Sequence, residues 1–198
     1  MHYPEVSSDC DKWSTMSQTW RALELMQDEG LVRTIGVSNY EIDDLIKQEE
    51  AGETSVMKPL INQLEYHPYH QPNEIIEYCT DNEIQVQGYC PLGNGNLISE
   101  EIVKNISKKL NKTPAQVLIR WSIQNNIPTI PKSIKKNRVQ ENFNVYDFKL
   151  TDEHMSDLNN LNCNIKYVKV DDIKNKIDSN LPDGYRLDAN IKRNILQT

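Results

Sequence analysis

A short apolar run followed by an amphipathic helical stretch, repeated four times, is the feature that most constrains what this chain can fold into. The runs begin near residues 35, 61, 85 and 127, so successive strand starts lie about 26, 24 and 42 residues apart. That is the length of a strand plus a crossover helix, and a parallel strand needs such a crossover because no tight turn can return it. The first run is Ile35-Gly36-Val37, ended by Ser38-Asn39; the others are Leu60 to Leu64, Ile84 to Tyr89 and Ile127 to Ile130. Periodicity predicts helices over Thr15 to Asp28, with Met16, Trp20, Leu23 and Met26 on one face, over Tyr40 to Glu50 with Ile42, Leu45 and Ile46, and over Asn73 to Asn82. Ser99 followed by Glu100 and Glu101, and Thr113-Pro114 with Gln116 at the third helical position, read as capped starts of two more. A helix over Arg138 to Val145 and another from the Thr151 cap to near Leu161 complete the order.

Parallel strands alternating with helices leave two common architectures, a doubly wound sheet or a (β/α)8 TIM barrel. No G-x-G-x-x-G follows any of the runs, which removes the usual support for the dinucleotide-binding doubly wound fold. A whole barrel takes about 250 residues. The four units, with the tail of a fifth strand in the first residues, predict an α/β chain forming part of a (β/α)8 barrel, from the end of strand four through strand eight. Residues 1–161 form the barrel half in this reading, and residues 162–198, rich in Asn, Asp and Lys, form a polar C-terminal tail or loop.

Composition narrows the function. The formal charge of −7 disfavours nucleic acid and anionic membranes as partners. No apolar run is long enough for a membrane span, and the first ten residues lack the basic and apolar segments of a secretory leader, so a soluble, unsecreted chain is expected. Leu, Ile, Val and Phe make up about a quarter of the residues, enough for a real core. The four cysteines, Cys10, Cys79, Cys90 and Cys163, are far apart and form no C-x-x-C pair; they are read as reduced thiols in a cytoplasmic protein.

In a barrel the residues just past the strand ends face the active site. Here those are Ser38 and Asn39, Gln63 and Glu65, Tyr89 to Asn94, and Lys132 to Arg138. Ser38, Asn39 and Gln63 are neutral hydrogen-bonding groups suited to an amide, and Tyr89 offers a flat face to a ring. Gly93-Asn94-Gly95 lets backbone N–H groups approach a phosphate. Lys132, Ser133, Lys135, Lys136 and Arg138 gather positive charge before a helix, an anion-binding arrangement.

Four segments carry a resemblance: Gly36-Val37-Ser38-Asn39, Asn62-Gln63-Leu64-Glu65-Tyr66-His67-Pro68-Tyr69, Tyr89-Cys90-Pro91-Leu92-Gly93, and Ile130-Pro131-Lys132-Ser133 with Arg138-Val139-Gln140-Glu141-Asn142-Phe143. In order and spacing they resemble the aldo-keto reductases, from His2 to about Leu161. The resemblance implies an oxidoreductase that uses NADP(H) to reduce aldehyde or ketone carbonyls of small molecules. It implies that Ser38, Asn39 and Gln63 bind the nicotinamide carboxamide, that Tyr89 stacks on its ring, and that Leu92 and Asn94 lie in the loop over the pyrophosphate. Lys132, Ser133 and Arg138 match the clamp on the 2′-phosphate, and Glu141 and Asn142 match the adenine contacts. Cys90 stands where relatives usually have serine.

Met1-His2-Tyr3-Pro4 resembles the family segment at the end of strand four, so His2 matches the histidine that orients the substrate carbonyl and Tyr3 replaces a pocket tryptophan. The family's catalytic aspartate, proton-donating tyrosine and lysine lie upstream of that segment and have no counterpart among the 198 residues. The expectation is an enzyme whose N-terminal half carries those three residues, the isolated 198-residue chain being inactive; the alternatives are a non-catalytic NADP-binding module and an inactive truncated fragment. His67 and His70 are spaced H-x-x-H but have no acidic or cysteine partner at metal-ligand spacing, and Trp20 and Trp121 sit in helical stripes as packing residues.

Overall fold

Three short parallel strands lie side by side at the centre, in the order β1 (Val37–Ser38), β2 (Ile61–Glu65) and β3 (Gln85–Tyr89). The computed structural model describes Met1, Pro4, residues 12–50 and residues 58–168. Around the strands run α1 (Lys12–Asp28), α2 (Ile42–Glu50), α3 (Asn73–Asp81), α4 (Glu101–Leu110), α5 (Pro114–Gln124), α6 (Lys136–Phe143) and α7 (Asp152–Asn159), with a 3-10 segment at Gly93–Ser99. Met1–Ile165 form one compact unit; residues 166–198 form a second, of which Lys166 to Val168 are described.

The register is in phase: Val37 lies beside Asn62 and Asn62 beside Val86, Ser38 beside Gln63 and Gln63 beside Gln87, and Glu65 beside Tyr89. Because strand side chains alternate faces, Val37, Asn62, Leu64 and Val86 share one face and are buried. Ser38, Gln63, Gln87 and Tyr89 share the other. The strands approach closely at Gly36, where a Cβ would sit 2.8 Å from the Ile61 carbonyl oxygen. Gly36→Ala therefore has to push β1 off β2, and we expect it to destabilise the chain by about 1–3 kcal/mol, seen as a lower urea midpoint. An unchanged midpoint would show that the two strands tolerate wider spacing.

Periodicity places most helices within a few residues. Met16 and Trp20 are fully buried as the α1 stripe requires, whereas Met26, expected on the same face, is 43% exposed because the stripe has run off the core by the last turn. Trp121 is also fully buried, its ring stacked on Tyr66 at 4.7 Å between centroids. Thr113 caps α5 with the expected box: its hydroxyl accepts from the Gln116 N–H, and the Gln116 side chain accepts from the Thr113 N–H. Thr151 caps α7 with His154 in the same way.

Three expectations are corrected. Ile127 to Ile130 forms only a parallel bridge, Thr129 to Gly88, because Pro128 and Pro131 have no N–H to give a ladder. The contact survives through Gly88 N–H to the Pro128 carbonyl (2.7 Å) and Ile130 N–H to the Gly88 carbonyl (3.1 Å). Ser99 does not cap α4: it ends the 3-10 segment, and Glu100 holds the cap position without a side-chain bond to the helix. The helix expected over Arg138 to Val145 runs two residues earlier at both ends, Lys136–Phe143. Beyond α7 the chain folds back on the loop after β2, where the Ile165 N–H reaches the Tyr69 carbonyl (2.9 Å) and the Asn162 side chain accepts from the Gln71 N–H (3.2 Å). No helix among the described residues is long and apolar enough to cross a membrane.

Candidate active site

The C-terminal ends of β1, β2 and β3 are tied into one hydrogen-bonded network by the side chains that the alternation turns to one face. The Ser38 hydroxyl donates to the Gln63 carbonyl (2.8 Å) and accepts from Asn39 Nδ2 (3.1 Å). Asn39 Oδ1 accepts from the Tyr89 hydroxyl (2.8 Å) across the sheet. Asn39 can hold this position because its backbone is left-handed (φ 60°), a conformation asparagine tolerates. Its N–H still continues the ladder to the Gln63 carbonyl at 2.9 Å. Gln63 Nε2 donates to Gln87 Oε1 at 2.7 Å. Four of the expected residues, Ser38, Asn39, Gln63 and Tyr89, thus meet in space although they lie in three separate segments.

Leu92 and Asn94 follow immediately. Leu92 packs partly into the core at the start of the 3-10 segment, while Asn94 (φ 54°) and Gly95 (φ 93°) turn left-handed, with nothing within 4 Å of a Cβ built on Gly95. Cys90 lies between Tyr89 and this turn. Its thiol accepts from the Asn94 N–H (3.3 Å) and donates to Asn94 Oδ1 (3.4 Å). Burial pushes that thiol up, so it stays protonated at neutral pH.

Lys132, Ser133, Arg138, Glu141 and Asn142 form a second group on α6 and the segment before it, fastened to α5. The Ser133 hydroxyl accepts from the Lys135 N–H (3.2 Å) ahead of the helix. Glu141 Oε1 accepts from the Thr113 hydroxyl (2.6 Å), and the Glu141 and Asn144 carbonyls accept from Gln116 Nε2 (3.3 and 2.8 Å). Lys132, Lys135, Lys136 and Arg138 are exposed and form no ion pair among the described residues. Asn142 borders a cavity of about 870 Å3 walled by Ile119, Pro131, Val139 and Phe143. His2 and Tyr3 lie outside the described residues.

At the end of β2, Glu65 is 2% exposed and its carboxylate lies 3.0 Å from Nε2 of the fully buried His67. The backbones of His67 and His70 pair antiparallel, closing the loop. Among the described residues no group of three His, Cys, Asp or Glu is arranged to hold a metal ion. Two contributors escape a reading of strand ends alone. Gln87 is revealed only by its register pairing with Gln63, and the Thr113–Gln116 box shows its capping role but not that it also grips Glu141.

A model of the aldo/keto reductase family matches residues 1–162. The chain belongs to this family. This aldo-keto reductase is 46% identical over 147 residues to a 9,11-endoperoxide prostaglandin H2 reductase of Trypanosoma cruzi, covering 73% of this chain and 51% of that protein. It is 42% identical over 144 residues to a glyoxal reductase of Bacillus subtilis, again covering 73% of this chain and 51% of the relative. Among solved structures it is similar to an aldo-keto reductase from a Medee basin deep-sea metagenome library, with TM-score 0.75 at 36% identity over 81% of this chain and 59% of that one. It is likewise similar to a Gox0644 mutant solved in complex with NADPH, with TM-score 0.70 at 36% identity over 74% of this chain and 53% of that one. The chain therefore spans about half the length of the curated relatives it matches.

Proposed function

We propose that this chain supplies the coenzyme-binding half of an NADPH-dependent reductase of small aldehydes or ketones, with residues 1–161 as the second half of a (β/α)8 barrel and residues 162–198 as a polar tail. The observation that carries the reading is the joining of Ser38, Asn39, Gln63 and Tyr89 at the ends of three parallel strands. The residues fit the coenzyme chemically: an amide-binding cluster, an aromatic face at a strand end, a left-handed turn open to a phosphate, and four cations without ion-pair partners among the described residues. NADPH, when bound, supplies the hydride that reduces a carbonyl carbon.

In this reading Ser38, Asn39 and Gln63 hold the carboxamide and so fix which face of the ring is presented, and Tyr89 backs the ring. Leu92 and Asn94 cover the pyrophosphate. Lys132, Ser133 and Arg138 neutralise the 2′-phosphate, which favours NADPH over NADH. Glu141 and Asn142 hold the adenine. His2 orients the carbonyl and Tyr3 lines its pocket. The aspartate, tyrosine and lysine that move the proton belong to the share of the relatives' length that this chain does not match, and the protein acts in the cytoplasm.

The test follows NADPH absorbance with glyoxal as the probe carbonyl, using the isolated chain and, separately, the native protein from its source. The isolated chain is expected to bind NADPH and turn over nothing, and the native protein to reduce glyoxal. An isolated chain that catalyses at the rate of the native protein would contradict the placing of the proton donor elsewhere. A native protein that neither binds NADPH nor reduces a carbonyl would overturn the function.

A further inference from the structure

We propose that Thr113, the cap of α5, is a positioning residue for α6: its hydroxyl fixes the Glu141 carboxylate so that one oxygen is left to accept from an amino group. This rests on the reading of Glu141 as an adenine contact. A half-buried glutamate has three rotatable side-chain bonds and ordinarily samples several rotamers. Here it is held from α5. Thr113 Oγ1 accepts from the Gln116 N–H (3.2 Å) and donates its proton to Glu141 Oε1 at 2.6 Å. The sense of both bonds is fixed, because an amide N–H only donates and a carboxylate oxygen only accepts. The main chain is gripped as well. The Thr113 N–H donates to Gln116 Oε1 (3.0 Å), which turns Nε2 of the same amide to the Glu141 and Asn144 carbonyls (3.3 and 2.8 Å). Main-chain groups at both ends of that amide leave it one orientation. A single capping box thus holds Glu141 by its side chain and its backbone, from 28 residues earlier in the chain. Among the described residues Glu141 Oε2 makes no hydrogen bond or ion pair. Arg138, Glu141 and Asn142, at spacings of three and four, share one side of α6.

An anchored carboxylate oxygen separates purines by the group at position 6. The exocyclic amine of adenine donates to it, whereas the carbonyl oxygen of hypoxanthine in the same place brings lone pairs against a negative charge. Losing one such bond at a half-exposed site costs about tenfold in affinity. Without the Thr113 hydroxyl the carboxylate can turn away from a 6-oxopurine, and the preference fades.

The test measures dissociation constants of NADP+ and its hypoxanthine analogue for the full chain, as wild type, T113S, T113D and T113V. The ratio of the two constants is taken within each protein, so any change in folded fraction cancels. Aspartate caps a helix at least as well as threonine but has no proton to give Glu141, so T113D separates the cap from the link and carries the test should T113V not fold. Wild type and T113S are expected to prefer NADP+ by about tenfold, and T113D and T113V to bind the two coenzymes within about twofold of each other. A merely structural Thr113 would leave the ratio in T113D at the wild-type value, and that result overturns the positioning role while leaving the adenine contact intact. A wild-type chain that binds both coenzymes equally overturns the reading of Glu141 and this role with it, and one that binds neither overturns coenzyme binding altogether.

Discussion

Replacing Lys132 and Arg138 together by alanine is expected to weaken NADPH binding by about a hundredfold and to leave NADH binding within about twofold of wild type. Lys132 stands three residues past the Thr129 bridge, and Arg138 is the third residue of α6. Both are exposed and neither spends its charge on an ion pair among the described residues. Charge-assisted bonds to a phosphate are among the stronger polar contacts, and the partial positive charge of the α6 N-terminus adds to them. Solvent screening at this exposed site keeps the effect below what buried pairs would give. R138K, which keeps the charge but loses the planar fork, should fall between wild type and R138A. Fluorescence titration with both coenzymes at fixed salt checks this, and an equal loss for NADPH and NADH would show that the cations act on something other than the 2′-phosphate.

Trp121→Ala is expected to cost about 3–5 kcal/mol of folding stability, a large part of what a single domain of this size holds. The side chain is fully buried, its ring lies 4.7 Å and 16° from that of Tyr66, and its Nε1 donates to Asn159 Oδ1 at 2.8 Å, so it joins α5 to β2 and to α7. Truncation removes a whole aromatic volume, the stacking and the hydrogen bond at once. Tyr66 is also the residue whose N–H continues the ladder to the Tyr89 carbonyl (3.1 Å), so loosening it should disturb the end of β3 as well. W121F, which keeps a ring on Tyr66, should recover most of the loss. Urea unfolding of the three proteins measures it, and a W121A midpoint equal to wild type would remove Trp121 from the core's essential contacts.

The α/β alternation was legible because each strand and helix carries its own period, and the Thr113 and Thr151 caps because their chemistry is local. Where reading failed, the deciding partner was distant in sequence or a backbone group was missing. The run at Ile127 to Ile130 is apolar enough for a strand, but the prolines at 128 and 131 cannot donate, and only Thr129 bridges Gly88. Ser99 has the side chain of a cap, yet the left-handed residues Asn94 and Gly95 start a tighter turn that consumes it. The order of the segments points to the residues at the strand ends, but their meeting depends on the register that sets Ser38 beside Gln63 and Gln63 beside Gln87. Gln87 lies two residues short of the strand end, and only that pairing reveals its part. Glu141 is held by Thr113, 28 residues earlier, a link no local pattern announces.

The central claim is that the strand ends and α6 form one coenzyme site, and titrating NADPH into the isotope-labelled full chain while following each amide by NMR tests it most directly. Saturable shifts are expected at Asn39, Gln63, Tyr89, Asn94 and Arg138 together, with one shared dissociation constant. Shifts absent from these residues, or confined to α6 with the strand ends unmoved, would contradict it.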